Sequence, residues 1–249
     1  VINVITKQYD SDSGEAAYLT SFTGNQFAFN NLSFNSSVVQ SDFKLNFSGV
    51  YGKGARSEKG YTDIYGDWRG LNNSSDIQTK QFGLSANYKS LNVVALFDDY
   101  SYDQVDLWDA VYRGTPLRES FQSQFIQTSY DFKVSDKIKI VPRVNYKWQQ
   151  PWHLNVIDQG YKNSKIYIKT AGSIVTTYTD ERINGIVGID FSYEKLVQRA
   201  FIDDTIEEVF KTGKDLLDYK NFATYGQVNL DAKIFNLNIA ERFVNPSKY

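Results

Sequence analysis

The sequence predicts an all-β fold, an antiparallel up-and-down transmembrane β-barrel with long loops at one end. Three observations carry that expectation. Apolar and polar residues alternate with period 2 along most of the chain, long and short connections follow one another in turn, and the composition is aromatic without being apolar. Of 249 residues, 18 are Tyr, 17 Phe and 4 Trp, together 16% of the chain, at a mean hydropathy of -0.44. No run approaches the roughly 20 consecutive apolar residues that a membrane-spanning helix needs. A barrel strand dilutes its apolar residues to one in two, so this composition suits it.

Taken in order, the expected strands are 14–23, 26–36, 42–54, 79–90, 91–101, 120–133, 138–149, 166–178, 183–195, 221–231 and 233–243. In the third, Phe43, Leu45, Phe47 and Tyr51 oppose Lys44, Asn46 and Ser48. The fourth is the clearest, with Phe82, Leu84, Ala86 and Tyr88 on one face. In the ninth, Ile183, Val187, Ile189, Phe191 and Tyr193 oppose Asn184, Asp190, Ser192 and Glu194. The last sets Phe235, Leu237 and Ile239 against Asn236 and Asn238. Many of these segments reach the roughly 9 to 11 residues that a tilted strand needs to cross a bilayer, against about 5 to 6 in ordinary sheets. Tyr51, Tyr88, Tyr130, Phe132, Tyr146, Trp148, Tyr178 and Tyr193 lie toward strand ends, where they fit interfacial girdles or ordinary β-packing.

After an irregular start the connections run long (55–78), short (89–91), long (102–119), short (134–137), long (150–165), short (179–182), long (196–220) and short (231–234). In a meander, alternate connections lie on the same side of the sheet, so one end carries tight turns and the other long loops. That is the layout of outer-membrane barrels, whereas soluble sandwiches mostly use Greek-key connections. Within 196–220, Thr205 and Glu208 have capping-box spacing, and Ile206, Val209, Phe210 and Leu217 fall on one helical face, which predicts a short helix from Asp203 to Leu217.

The absence of Cys leaves no disulfide framework or thiolate metal site. The 27 basic residues are scattered among 29 acidic ones, net charge -2, so no nucleic-acid partner is expected. Neither a G-x-S-x-G elbow nor an H-E-x-x-H pair is present, and the chain reads as a non-enzyme with no cofactor. Asn35-Ser36-Ser37 and Asn46-Phe47-Ser48 match glycosylation acceptors but fall inside predicted strands.

Candidate site residues cluster in the long connections. Tyr61, Tyr65, Trp68, Trp108, Tyr112, Arg113 and Trp152 place aromatics and a cation in three consecutive loops, a set suited either to capture of a planar or amphipathic ligand or to loop packing. The single histidine, His153, opens the 150–165 loop, as a ligand contact, a general base or an exposed loop residue. Asp98, Asp99, Asp103, Asp106 and Asp109 form an acidic run with Tyr100, Tyr102 and Trp108 interleaved. It lacks the D-x-D-x-D-G pattern of a Ca²⁺ loop and reads chiefly as a solvated segment.

Val1-Ile2-Asn3-Val4-Ile5-Thr6-Lys7 resembles the segment that closes the plug domain of TonB-dependent outer-membrane receptors just before the first barrel strand. Gly49-Val50-Tyr51-Gly52-Lys53-Gly54, with Tyr61-Thr62-Asp63-Ile64-Tyr65-Gly66-Asp67 after it, is similar to the third strand and following loop of such barrels. Glu241 to Tyr249 is similar to the place where the family runs on into another strand. The resemblance implies a fragment: residues 1–7 as the last strand of the plug and 8–249 as the first part of the barrel, about 11 strands of a larger plugged barrel of about 22. It further implies a bacterial outer-membrane transporter in contact with lipid. That transporter would be driven by the TonB complex through a segment before Val1 and would take up a small, scarce nutrient such as an iron chelate, cobalamin or a glycan. The loops at 55–78, 102–119, 150–165 and 196–220 would form part of its extracellular vestibule. A complete small outer-membrane barrel acting as pore, adhesin or enzyme, and a soluble β-sandwich binding module, are the alternatives.

Overall fold

The computed structural model describes residues 11–23, 26–55, 60–63, 65–71, 74–105, 117–156, 161–201, 217–231 and 236–248. Its strands are β1 (Ser13–Thr23), β2 (Gln26–Gln40), β3 (Phe43–Ala55), β4 (Tyr61–Thr62), β5 (Trp68–Arg69), β6 (Asp76–Tyr88) and β7 (Leu91–Gln104). The second half holds β8 (Leu117–Tyr130), β9 (Phe132–Lys133), β10 (Ile138–Val156), β11 (Tyr161–Thr179), β12 (Ile183–Phe201), β13 (Leu217–Asp231) and β14 (Asn236–Lys248). There is no helix among the described residues. The helix expected from Asp203 falls on 202–216, outside those residues, and Leu217 opens β13.

All strands but β4 and β5 join one 12-stranded sheet, ordered β1-β2-β3-β6-β7-β8-β10-β11-β12-β13-β14 with β9 beside β10. Each strand pairs antiparallel with the next along this path, so the predicted up-and-down meander is what the chain forms. The sheet is open, since β1 and β14 each pair with one neighbour among the described residues. A two-sheet sandwich would need a second layer of long strands; β4 and β5 form a separate sheet of two residues each.

Because neighbouring side chains in register share a face, the pairings sort the whole sheet into two sides. One row runs Phe47, Leu84, Ala95, Ile126 and Tyr146, the next Leu45, Ala86, Val93, Thr128 and Val144. On β12 to β14 the same side carries Val187, Ile189, Phe191, Val228, Leu237 and Ile239. All eight expected girdle aromatics, including Phe132 through its pairing with Ile140, fall on this apolar side. Tyr88, Tyr130, Phe132 and Tyr178 mark the short-turn end of the band; Tyr51, Trp148 and Tyr193 lie toward the other. The opposite side carries Ser33, Asn35, Asn46, Ser48, Gln81, Asp98, Gln127, Asn145, Lys169, Asp190 and Glu194, with Val50, Leu96, Phe125 and Ile186 as apolar exceptions.

The apolar side is bare of protein: Val144 is 60% exposed, Val187 62% and Phe243 62%. Among the described residues the buried hydrophobics are only Val105, Leu117, Leu154 and Ala223. Burial in a core therefore does not hold this sheet together; ladder hydrogen bonds and cross-strand pairs do, each pair contributing about 0.2–1 kcal/mol. At some strand glycines a neighbouring ring covers the gap. Phe34 and Phe82 lie across Gly49, and Tyr225 lies across Gly188, so that a Cβ at either glycine would overlap the ring.

Nine of the strands, β3, β6, β7, β8 and β10 to β14, run on past the expected limits at the long-connection end, most of all β10, β11 and β12, each 19 residues. The connection expected over 150–165 is therefore residues 157–160, flanked by paired strand. At the other end the turns are tight. Two-residue links at Ser41–Asp42 and Lys89–Ser90 use left-handed φ values of 46° at Ser41 and 52° at Lys89, as hairpin turns require. Lys137 Nζ reaches Asp180 Oδ1 at 3.0 Å, tying two adjacent turns together. That hydrogen bond, followed by the Glu181 N–H, holds the Asp180 carboxyl below the ordinary carboxylate value, and Asp180 raises Lys137 in return.

Two outcomes follow from this construction. Gly49→Val will cost about 1–3 kcal/mol, because it forces two rings out of place, whereas Gly14→Ala, which meets open space, will stay within about 0.5 kcal/mol; urea unfolding in detergent micelles reads both. The Asp180 carboxyl will titrate below the usual carboxylate midpoint by NMR and shift back toward it in Lys137→Ala, the Glu181 N–H still holding it down. The clasp is thus present above the ordinary carboxylate range, fades as acid drives Asp180 through its lowered value, and fades again as alkali takes Lys137 through its raised one.

Candidate functional site

At the long-connection end the polar side turns aromatic. Along β7 the apolar residues Leu91, Val93, Ala95 and Phe97 face one way, and then Tyr100 and Tyr102 take the opposite parity, beside Phe121 of β8. The three rings pack together, with centroids 5.9, 6.2 and 6.3 Å apart. The Tyr102 hydroxyl donates to Glu119 Oε2, which also accepts from Gln104 Nε2 at 3.3 Å. Flat ring faces therefore sit next to a carboxylate whose orientation is fixed by two donors.

Trp152 joins this side by a change of register. Through Gln149 the ladder is regular, and β10 then gains a residue over β11 before Trp152 pairs with Lys165. The extra residue accommodates Pro151, which has no N–H for the ladder. It also reverses parity: without it Trp152 would share the side of Trp148, and with it Trp152 lies on the polar side. Lys165 Nζ stands 4.9 Å from the Trp152 ring centroid, a cation–π contact worth about 0.5–2 kcal/mol. Further along the same side Tyr167 donates to Glu194 Oε2 at 2.7 Å and Lys169 to Oε1 at 2.6 Å. Half-buried rings with hydrogen-bonding groups at their edges suit a planar or amphipathic ligand.

The site stands on rigid roots. Arg118 holds Asp103 in a two-point fork, Nε to Oδ1 at 2.7 Å and Nη2 to Oδ2 at 3.0 Å, where β7 ends and β8 begins. Val105, Leu117 and Leu154 are buried at the same end. Between β3 and β6, Asp63 organises a small hairpin. Its Oδ1 accepts from the N–H groups of Tyr65 and Asp67, both at 2.9 Å, and its Oδ2 from Arg69 Nε at 3.1 Å. Gly66 supplies the φ of +88° that this turn needs.

The expected site residues divide accordingly. Tyr61, Tyr65 and Trp68 come together on the Asp63 hairpin, Tyr65 and Trp68 exposed and Trp68 lying over Gly60. Trp152 and His153 are not in a loop: both lie within β10, on opposite sides of the sheet, His153 in register with Ser120 and Ser164. The acidic run is likewise strand rather than loop as far as Asp103. Asp98 accepts from Gln81, Asp99 pairs with Lys80 and Asp103 with Arg118, so the three carboxylates do not converge. Trp108, Tyr112, Arg113, Asp106 and Asp109 lie outside the described residues; among the described residues there is no group of metal-holding side chains. Residues 1–7 lie outside them too. The expected set omits Phe121, Lys165 and Tyr167, and Tyr100 and Tyr102 entered it only as part of the acidic run. The parity switch after Phe97 was the available signal.

Asp63→Ala removes the acceptor of three donors from a side chain that is 1% exposed. It will loosen the hairpin by about 1–3 kcal/mol, seen as new proteolytic cleavage within 60–75 while the long strands stay protected.

No family model matches the chain, and no curated protein matches it by sequence. Among solved structures it is similar to the crystal structure of the ferric yersiniabactin uptake receptor FyuA from Yersinia pestis, with a TM-score of 0.52 and 10% identity. The superposition covers 97% of this chain and 44% of that one, so the chain spans less than half the length of that receptor. At this identity the likeness is one of fold: an up-and-down antiparallel sheet of the kind that walls a β-barrel receptor.

Proposed function

We propose that the chain forms part of the wall of a bacterial outer-membrane receptor that takes up a scarce small nutrient by active transport driven through the TonB complex. The observation that carries this reading is the bare apolar side, continuous across the sheet from β2 to β14 and backed by a polar side. An apolar face of that extent in water would drive association; against lipid it is the favourable surface, with its aromatics at the two interfaces and the polar side toward a wet lumen. The fold likeness to an uptake receptor supports the same assignment, as does the resemblance of Val1 to Lys7 to the end of a plug, with 8–249 as the first part of the barrel.

In this reading the long-connection end is extracellular. The rings of Tyr100, Tyr102, Phe121 and Trp152, together with the exposed Tyr65 and Trp68, receive the nutrient, an iron chelate, cobalamin or a glycan. The chain itself catalyses no covalent step.

Deleting the gene from its host and measuring uptake of labelled iron chelates, cobalamin and oligosaccharides tests the assignment. One class will lose uptake, and a protonophore will abolish the same uptake in the parent strain. Uptake indifferent to the protonophore would instead mark a passive pore. Trp152→Ala will raise the half-saturating concentration about tenfold, the loss of roughly 1.4 kcal/mol of ring contact, with unchanged abundance in the membrane.

A further inference from the structure

Lower on the polar side, along β10 to β14, the wall dips into a basin of about 240 Å³. Its floor is made of small residues, Ala171, Gly172, Ser173 and Ser192, so the surrounding long side chains stand over an open centre. Three of them are cationic, Arg143, Lys169 and Arg242, and one is acidic, Asp190. Lys169 is taken by Glu194 at 2.6 Å, and Arg242 reaches Asp190 at 3.7 Å while its guanidinium lies 6.0 Å from the Tyr225 ring centroid. Arg143 makes no ion pair among the described residues. Ser173 separates it from Asp190 in the register, a span of two strands.

A guanidinium presents donors in a fixed fork that matches an oxyanion. An uncompensated one at the edge of a small-floored basin, beside two cations each paired with a carboxylate, leaves one net positive charge facing open space, which suits an anion. A phosphate offers the Arg143 guanidinium two charged oxygens. The ring-lined end described above lacks this chemistry, since its cation, Lys165, is held against Trp152.

We propose that this basin is a binding station for the oxyanion group of a small solute, with Arg143 as its principal contact. The proposal stands on the geometry of the wall alone, so its outcome leaves the uptake reading untouched.

The test is calorimetric titration of the purified protein in micelles with inorganic phosphate at low ionic strength. Saturable binding will weaken at least fivefold in Arg143→Gln and stay unchanged in Lys44→Gln, a cation of the same side on β3, outside the basin. Position is read with a thiol. The chain has no Cys, so Ser173→Cys carries a single one. An anionic methanethiosulfonate will modify it at least tenfold faster than a cationic one, relative to a free thiol, and phosphate will slow that reaction more than chloride of equal ionic strength. Absence of saturable phosphate binding, or equal weakening by Arg143→Gln and Lys44→Gln, overturns the proposal. So does a Ser173→Cys thiol that neither reagent reaches, since protein would then cover the basin.

Discussion

Everything in this molecule depends on an unslipped antiparallel register carried from β1 to β14. With a side-chain period of 2, a slip of one residue in any strand would send its whole apolar set to the other side. A soluble domain is protected from such slips by its core, yet here almost no apolar side chain is buried. The restraint comes instead from long ladders, tight turns of fixed hand and rings seated over glycines. Gly49 and Gly188 are therefore structural positions: each leaves the space by which a neighbouring strand's ring locks the alignment of its pair.

The register is altered in two described places, between Ser21 and Phe22 and around Gln150 to Trp152. Both lie at the end with the long connections, so the apolar band stays continuous beneath them. The end that tolerates a change of parity is also the end where parity has been used, to bring Trp152 to the side of Tyr100, Tyr102 and Phe121. At the opposite end there is little to rearrange. Lys137 holds Asp180 and Lys139 holds Asp131, closing the turns onto one another.

The meander, its two sides and the division into a short and a long end were legible in the sequence because they follow from one-dimensional periodicities. Phe82 to Tyr88 or Ile183 to Tyr193 need no tertiary information. The strand ends at the long side were not legible, because polar runs and a proline interrupt the alternation there. Trp152-His153-Leu154-Asn155-Val156 alternates and pairs with Tyr161 to Lys165, but Gln149-Gln150-Pro151 before it breaks the period and carries a proline that a ladder admits only at an edge or a bulge. That is why Trp152 and His153 read as loop residues. Tyr61, Tyr65 and Trp68 share one hairpin because they are close in sequence. The grouping of Phe121 with Tyr100, or of Lys165 with Trp152, depends on pairing across strands and on a bulge, and no local signal encodes it.

Charge on the polar side is sorted along the sheet. The first half holds a basin of about 490 Å³ lined by Glu15 and Asp98 with Ser33, Asn35, Gln81 and Ser123, and without a cation. The second half holds the basin of Arg143, Lys169 and Arg242. Summed, the two signs nearly cancel, as does the whole chain at -2, so the wall as a whole exerts little long-range pull. At physiological ionic strength screening sets in over about 8 Å, roughly the width of two strands. Each basin therefore acts only on a group already against it. In the proposed uptake reading, a wall so arranged would select by local complementarity after entry rather than by steering from outside, with the rings making the first contact and the charges lying further in.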